Sequence, residues 1–180
     1  MSNEFRKKGY LIARQVLKKP KPFYQASIKA AKTKVWNTDA QIPNTPNYYD
    51  LPEMQKLQKQ MLPVMEKMTG LKLFKTYSYM RIYKKGDILH IHTDRPACEV
   101  SMTLTLGFEG TKSWPIFLTD LEDDNHKVIL EPGDGLLYLG CELLHWREKF
   151  KGTRQSQVFL HYVNMDGPNA WCQDDSNHHK

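Results

Sequence analysis

Cysteine is scarce in this chain: Cys98, Cys141 and Cys172 are the only three in 180 residues, odd in number, widely spaced and without a CxxC pair. That excludes a disulfide scaffold, gives no zinc or redox signature, and makes a reducing cytoplasm the expected location. No stretch approaches the roughly 20 apolar residues of a membrane span. The apolar run near the N-terminus is short and interrupted by Arg14, so it makes a poor signal peptide, and the mature chain is expected to begin at Met1. Internal repeats and low-complexity tracts are also missing. What is present fits one soluble folded domain: 40% hydrophobic, 26% charged and 11% aromatic residues.

The formal net charge is +6, but it is unevenly spread. Residues 1–34 hold ten Lys and Arg against the single Glu4, and the remaining residues are net negative. Leu11, Ile12, Val16 and Ile28 lie between these cations. The segment therefore reads as a solvated face with one side packed on the domain, and not as a nucleic-acid site.

A helix is expected over 23–36, and residues 37–50, rich in Asn, Thr and Pro, read as a loop. A second helix follows, with Asp50 as cap and Pro52 in its first turn. Its core stripe is Met54, Leu57, Met61, Met65 and Met68, Pro63 is a kink, and Gly70 is the stop. The segment 10–17 satisfies neither helix nor strand period. Beyond Gly70, β-branched and aromatic runs at 71–83, 88–94, 98–108, 114–119, 127–130, 136–139, 143–150 and 155–163 read as eight strands, the jelly-roll number. The organisation expected is a single domain over 1–180: helical support in 1–70, a β core in 71–165 and a tail in 166–180. Its class is α+β, mainly β.

The stretch Ile88-Leu89-His90-Ile91-His92-Thr93-Asp94 carries the strongest chemical signal. Alternation along a strand turns His92 and Asp94 to one face, and His145 on a later strand can complete a metal site. Two imidazoles and one carboxylate on one face of iron leave coordination positions open, as in non-heme Fe(II) oxygenases. His90 shares that parity, so a set of His90, His92 and His145 is the rival assignment, typical of a cupin-like metal-binding module. Further on, Arg154 and Ser156 lie two apart; a guanidinium with a neighbouring hydroxyl can hold a carboxylate, which favours the first set. The same parity turns Val158, Leu160 and Tyr162 inward and His161 outward. Trp146 and Arg147 either meet a ligand at the rim or pack.

The order RIYKKGD, HTD, PGDGLLY, LLH and GTRQS resembles the Fe(II)- and 2-oxoglutarate-dependent dioxygenases, within them the prolyl-4-hydroxylase-like branch. The resemblance covers about residues 71–165 and implies a double-stranded β-helix with N-terminal supporting helices. It implies Fe(II) on His92, Asp94 and His145, 2-oxoglutarate on Arg154 assisted by Ser156, and O2 at the open position. The chain departs from that branch in carrying Arg154 where Lys is usual and Leu89 where a cosubstrate-binding Tyr is usual; Tyr83, Tyr79 or Thr103 are candidates to replace that Tyr. The activity implied is hydroxylation of a C–H bond of a prolyl peptide or protein, or of a small amino-acid-like substrate, with release of succinate and CO2. Oxidative nucleic-acid demethylases share the triad but carry a second Arg where Leu160 stands.

Overall fold

A computed structural model describes residues 3–37, 39–110, 114–173 and 175. The expected start at Met1 and the tail residues 174 and 176–180 lie outside the described residues. In chain order the elements are α1 (Asn3–Lys8), β1 (Tyr10–Ala13), α2 (Lys21–Thr33), β2 (Asn47–Tyr49), α3 (Pro52–Thr69), β3 (Leu73–Lys84), β4 (Leu89–His92), β5 (Val100–Glu109), β6 (Ile116–Thr119), β7 (Asn125–Val128), β8 (Gly135–Leu139), β9 (His145–Arg147) and β10 (Arg154–Asn164). All pairings are antiparallel. They build a six-stranded sheet, β1-β8-β5-β10-β3-β2, facing a four-stranded sheet, β4-β9-β6-β7. This is the double-stranded β-helix expected from the eight runs after Gly70, each of which overlaps a strand.

The large sheet is buried on both faces. Its outer face carries Met80 and Ile82 of β3, Met102, Leu104 and Leu106 of β5, and Val158, Leu160 and Tyr162 of β10, and the two long helices cover it. α3 contributes Met54, Leu57, Met61 and Met65 at spacings of three and four, each burial worth about 2 kcal/mol. Gln58, buried in that stripe, donates to the carbonyls of Tyr77 and His161 at 2.9 and 2.8 Å, next to the point where β10 slips register against β3. The inner face is polar: Ser101, Thr103, Thr105, Gln155, Gln157 and Arg81 are all at or below 1% exposure.

Several expectations are corrected. Residues 47–49 are not loop: β2 pairs with β3 as an edge strand, Asn47 opposite Arg81 and Tyr49 opposite Tyr79. Tyr10–Ala13 is also an edge strand, against β8, so residues 1–70 supply two strands besides helices. Asp50 does not cap α3. It sits at φ 50° and accepts from the backbone N–H of Ser78 at 2.9 Å, while Leu51 holds the cap position. α3 runs continuously through Pro63 and ends as expected at Gly70, whose φ of 72° suits a residue without Cβ. Among the described residues no helix is long and apolar enough to cross a membrane.

Candidate active site

His92 ends β4, Asp94 follows it, and His145 begins β9 directly opposite His92 in the ladder. The pairing brings the imidazole centroids to 4.3 Å, and Asp94 Oδ1 lies 3.7 Å from His92 Nε2 and 3.6 Å from His145 Nε2. Each ring has its Nδ1 at a backbone carbonyl, His92 at His90 (2.8 Å) and His145 at Leu143 (2.9 Å). A carbonyl can only accept, so Nδ1 carries the proton and both Nε2 lone pairs face the carboxylate. The side-chain amide of Gln41 donates to His92 Nε2 at 2.9 Å, filling the direction a cation would take. Burial first, and the neighbouring His145 second, hold the His92 imidazole below its ordinary pKa, which favours the neutral, ligating form. Burial raises the Asp94 carboxyl, but the hydrogen bond and charge that His145 supplies when protonated outweigh it and set the group below the usual carboxylate range. The phenol of Tyr138 donates to Asp94 Oδ2 at 3.2 Å.

Among the described residues a second grouping, Asp94, Cys98 and His161, has the proximity to hold a metal, but it shares Asp94 with the first. Burial, and then the charge of Asp94, push the Cys98 thiol well up, and it lies 2.9 Å from the Tyr77 hydroxyl. A protonated thiol is a poor ligand, so the chemistry favours His92, Asp94 and His145. His90 is exposed and does not line the cleft, because the β4–β9 ladder slips register between Leu89 and His92. That removes the three-His arrangement.

The cluster opens into a cleft of about 290 Å³. Tyr49, Tyr77, Tyr79 and Phe159 form its aromatic wall, and Arg81 and Arg95 stand beside them. Both cations are engaged: Arg81 with Asp39 and the Tyr79 hydroxyl, Arg95 with Asp175 at 2.6 Å. Tyr83, Tyr79 and Leu89 line the cleft; Thr103 is buried on the inner face of β5 and its hydroxyl has no partner.

Arg154 and Ser156 are not brought to the cleft. Arg154 pairs with Glu109 at 2.9 Å at the sheet margin, and Ser156 bonds Ser27 of α2 at 2.8 Å. The parity expected for β10 is therefore reversed: Gln155, Gln157, Phe159 and His161 face the barrel interior. Helices cover the outer face, so it took the apolar residues that would ordinarily mark the inside of a barrel. His161 lines the cleft.

Of the pair Trp146 and Arg147, expected either to meet a ligand at the rim or to pack, Arg147 is a buried cation. Arg147, two residues beyond His145 on β9, is 1% exposed, and its Nη1 donates to the carbonyl of Trp114. Its Nε and Nη2 have no partner, nor does Nε2 of Gln155, whose Oε1 accepts from the N–H of the same Trp114 at 2.9 Å. Burial lowers the Arg147 pKa to about 10, which leaves it charged at neutral pH. The i, i+2 alternation that joins His92 to Asp94 also joins His145 to Arg147, and that signal was available in the sequence. Orphaned donors at this depth call for an acceptor, a water or an anion.

No family model matches this sequence, and no curated relative is detected by sequence. Solved structures do share its fold. A prolyl-4-hydroxylase from Pseudomonas putida aligns over 90% of this chain and 96% of its own, at 15% identity and TM-score 0.71. The non-heme alpha-ketoglutarate-dependent epimerase SnoN of nogalamycin biosynthesis aligns over 89% and 78%, at 11% identity and TM-score 0.75. HygX from Streptomyces hygroscopicus, solved with nickel, 2-oxoglutarate and hygromycin B, aligns over 92% and 88%, at 14% identity and TM-score 0.71. At such identities the likeness shows the fold, a double-stranded β-helix.

Proposed function

We propose that this protein is an Fe(II)- and 2-oxoglutarate-dependent dioxygenase that hydroxylates a C–H bond of a prolyl peptide or a small amino-acid-like substrate, releasing succinate and CO2. The observation that carries the reading is the trio His92, Asp94 and His145, with both Nε2 atoms and one carboxylate oxygen turned to a common point at the mouth of the barrel. The donor set fits a divalent iron, and the orphaned donors of Arg147 and Gln155 fit a carboxylate. Bound iron and 2-oxoglutarate supply the oxidising chemistry: dioxygen is reduced, the oxoacid loses CO2 to become succinate, and one oxygen atom enters the substrate C–H bond.

The chain's own residues bind, orient and exclude. The carbonyls of His90 and Leu143 fix the tautomers, Tyr138 holds the carboxylate, and the aromatic wall keeps water from the reacting carbon. No side chain needs to act as a general base. A cleft of this volume accepts one residue of a peptide or one small metabolite, with an apolar ring laid on Tyr49, Tyr79 or Phe159. Lys7 pairs with Glu122 at 3.1 Å and Arg14 with Asp134 at 2.7 Å, which supports a solvated role for the basic segment. Three free thiols suit a reducing cytoplasm. The test is succinate formation from Fe(II), 2-oxoglutarate and O2 across a panel of prolyl peptides, amino acids and related metabolites. Succinate coupled to a substrate gaining one oxygen atom supports the proposal; a metal-loaded protein that neither binds nor consumes 2-oxoglutarate refutes it.

A further inference from the structure

We infer that Arg147, with Gln155 beside it, anchors the far carboxylate of the oxoacid, in place of the pair Arg154 and Ser156; the inference rests on the oxygenase reading above. Three observations converge on it. Arg147 and Gln155 both hold the backbone of Trp114, one at its carbonyl and the other at its N–H, and their remaining donors, Nε and Nη2 of the guanidinium and Nε2 of the amide, have no acceptor. A buried guanidinium facing no anion is costly, and a carboxylate is the planar, two-oxygen acceptor that its fork matches.

The other arginines near the barrel are engaged. Arg81 meets Asp39, Arg95 meets Asp175, and Arg154 meets Glu109 on the far side of β10. Arg147 alone among them meets no carboxylate: its partners are the carbonyl and the indole of Trp114.

Distance along the strand supplies the third observation. His145 and Arg147 share one face of β9, a step of about 7 Å at the usual strand rise. A five-carbon diacid with one end at the triad and the other pointing into the barrel covers such a step. The route runs past Tyr83, which lines the cleft and stacks edge-on to Trp114 with centroids 5.0 Å apart, the same indole that Arg147 covers at 5.1 Å. Leu89, opposite Arg147 in the ladder, also lines the cleft, so the wall beside the guanidinium is an aliphatic side chain. An anchor at a fixed step from the triad is expected to favour 2-oxoglutarate over the shorter oxaloacetate and the longer 2-oxoadipate.

The experiment measures binding of 2-oxoglutarate by calorimetry to the full chain loaded with Ni(II). Arg147→Met is expected to weaken binding by about 30-fold to 1000-fold, and Arg147→Lys less, since it keeps the charge and loses the fork. Arg154→Ala is expected to stay within about threefold of wild type. Nickel stoichiometry should be unchanged in all three, and metal-free Arg147→Met should melt no lower than wild type, because a buried unpaired charge has been removed. Glutarate, which lacks the keto group, should raise the melting temperature of metal-free wild type and not of Arg147→Met. Arg147 variants that bind like wild type while Arg154→Ala loses affinity would overturn the inference and leave the oxygenase reading intact. Glutarate stabilisation that depends on Arg147, in a protein that shows no nickel-dependent uptake of 2-oxoglutarate, would sink the oxygenase reading alone. If Arg147→Met fails to fold, Arg147→Lys carries the same comparison.

Discussion

Gly140 is pressed against Asp94. Its carbonyl accepts the backbone N–H of Asp94 at 2.8 Å, and a Cβ built on it would lie 2.6 Å from Asp94 Oδ2 and 2.2 Å from the carbonyl of Cys98. Neither neighbour is the far end of a flexible chain, so any side chain at 140 must move the carboxylate. Gly140→Ala is therefore expected to lose metal binding while keeping its β-sheet circular dichroism. Retention of iron at wild-type stoichiometry would show that Asp94 is not held by this contact.

Replacing Asp94 with Ala should remove iron retention outright, whereas His90→Ala should leave it unchanged, since His90 is exposed and away from the cleft. Iron content after desalting decides both. Loss of metal in His90→Ala would restore the three-histidine arrangement.

Tyr138 donates to Asp94 and would act on a bound metal through that carboxylate. Removing its hydroxyl in Tyr138→Phe should weaken metal affinity by roughly 10-fold to 100-fold, the range seen when partners behind a ligand are lost. Competition with a chelator of known affinity measures this, and an unchanged constant would make Tyr138 a packing residue only.

Asp134, in the turn before β8, accepts from Arg14 at 2.7 Å and from the backbone N–H of Gln15 at 2.8 Å. Burial raises its pKa, but the Gln15 N–H and the Arg14 guanidinium outweigh burial and set it below the ordinary value. A folded pKa depressed below the unfolded value of about 3.9 gives stability that is complete above that value and is lost as pH falls through the folded one. Asp134→Asn should thus cost about 1 to 3 kcal/mol at pH 7, and the gap to wild type should close below about pH 4. Denaturant titrations at pH 7 and pH 3 provide the check, and a gap independent of pH would contradict it.

The strands after Gly70 were legible because their alternation and turn glycines are local properties of the sequence. His92 and Asp94 were legible for the same reason, and His145 through the order of the motifs along the chain; the structure brings the three side chains together. The facing of β10 was not. Its apolar residues Val158, Leu160 and Tyr162 mark the side under α3, and no local pattern reveals that this sheet is covered on its outside while Gln155 and Gln157 line its inside. Two slips of register, between Ser156 and Gln157 against β5 and between Leu160 and Tyr162 against β3, depend on partners distant in the chain. β2 is three residues paired only at an edge, below the length at which a period can be read.

His92 and His145 stand on β4 and β9 of the small sheet, while the aromatic wall comes from β2, β3 and β10 of the large one. On the function proposed above, reactivity and recognition fall to different layers of the molecule. Substitutions at Tyr49, Tyr79 or Phe159 can reshape what enters the cleft without touching the hydrogen bonds that aim His92 and His145. A lineage built on this scaffold can change its diet while keeping its chemistry.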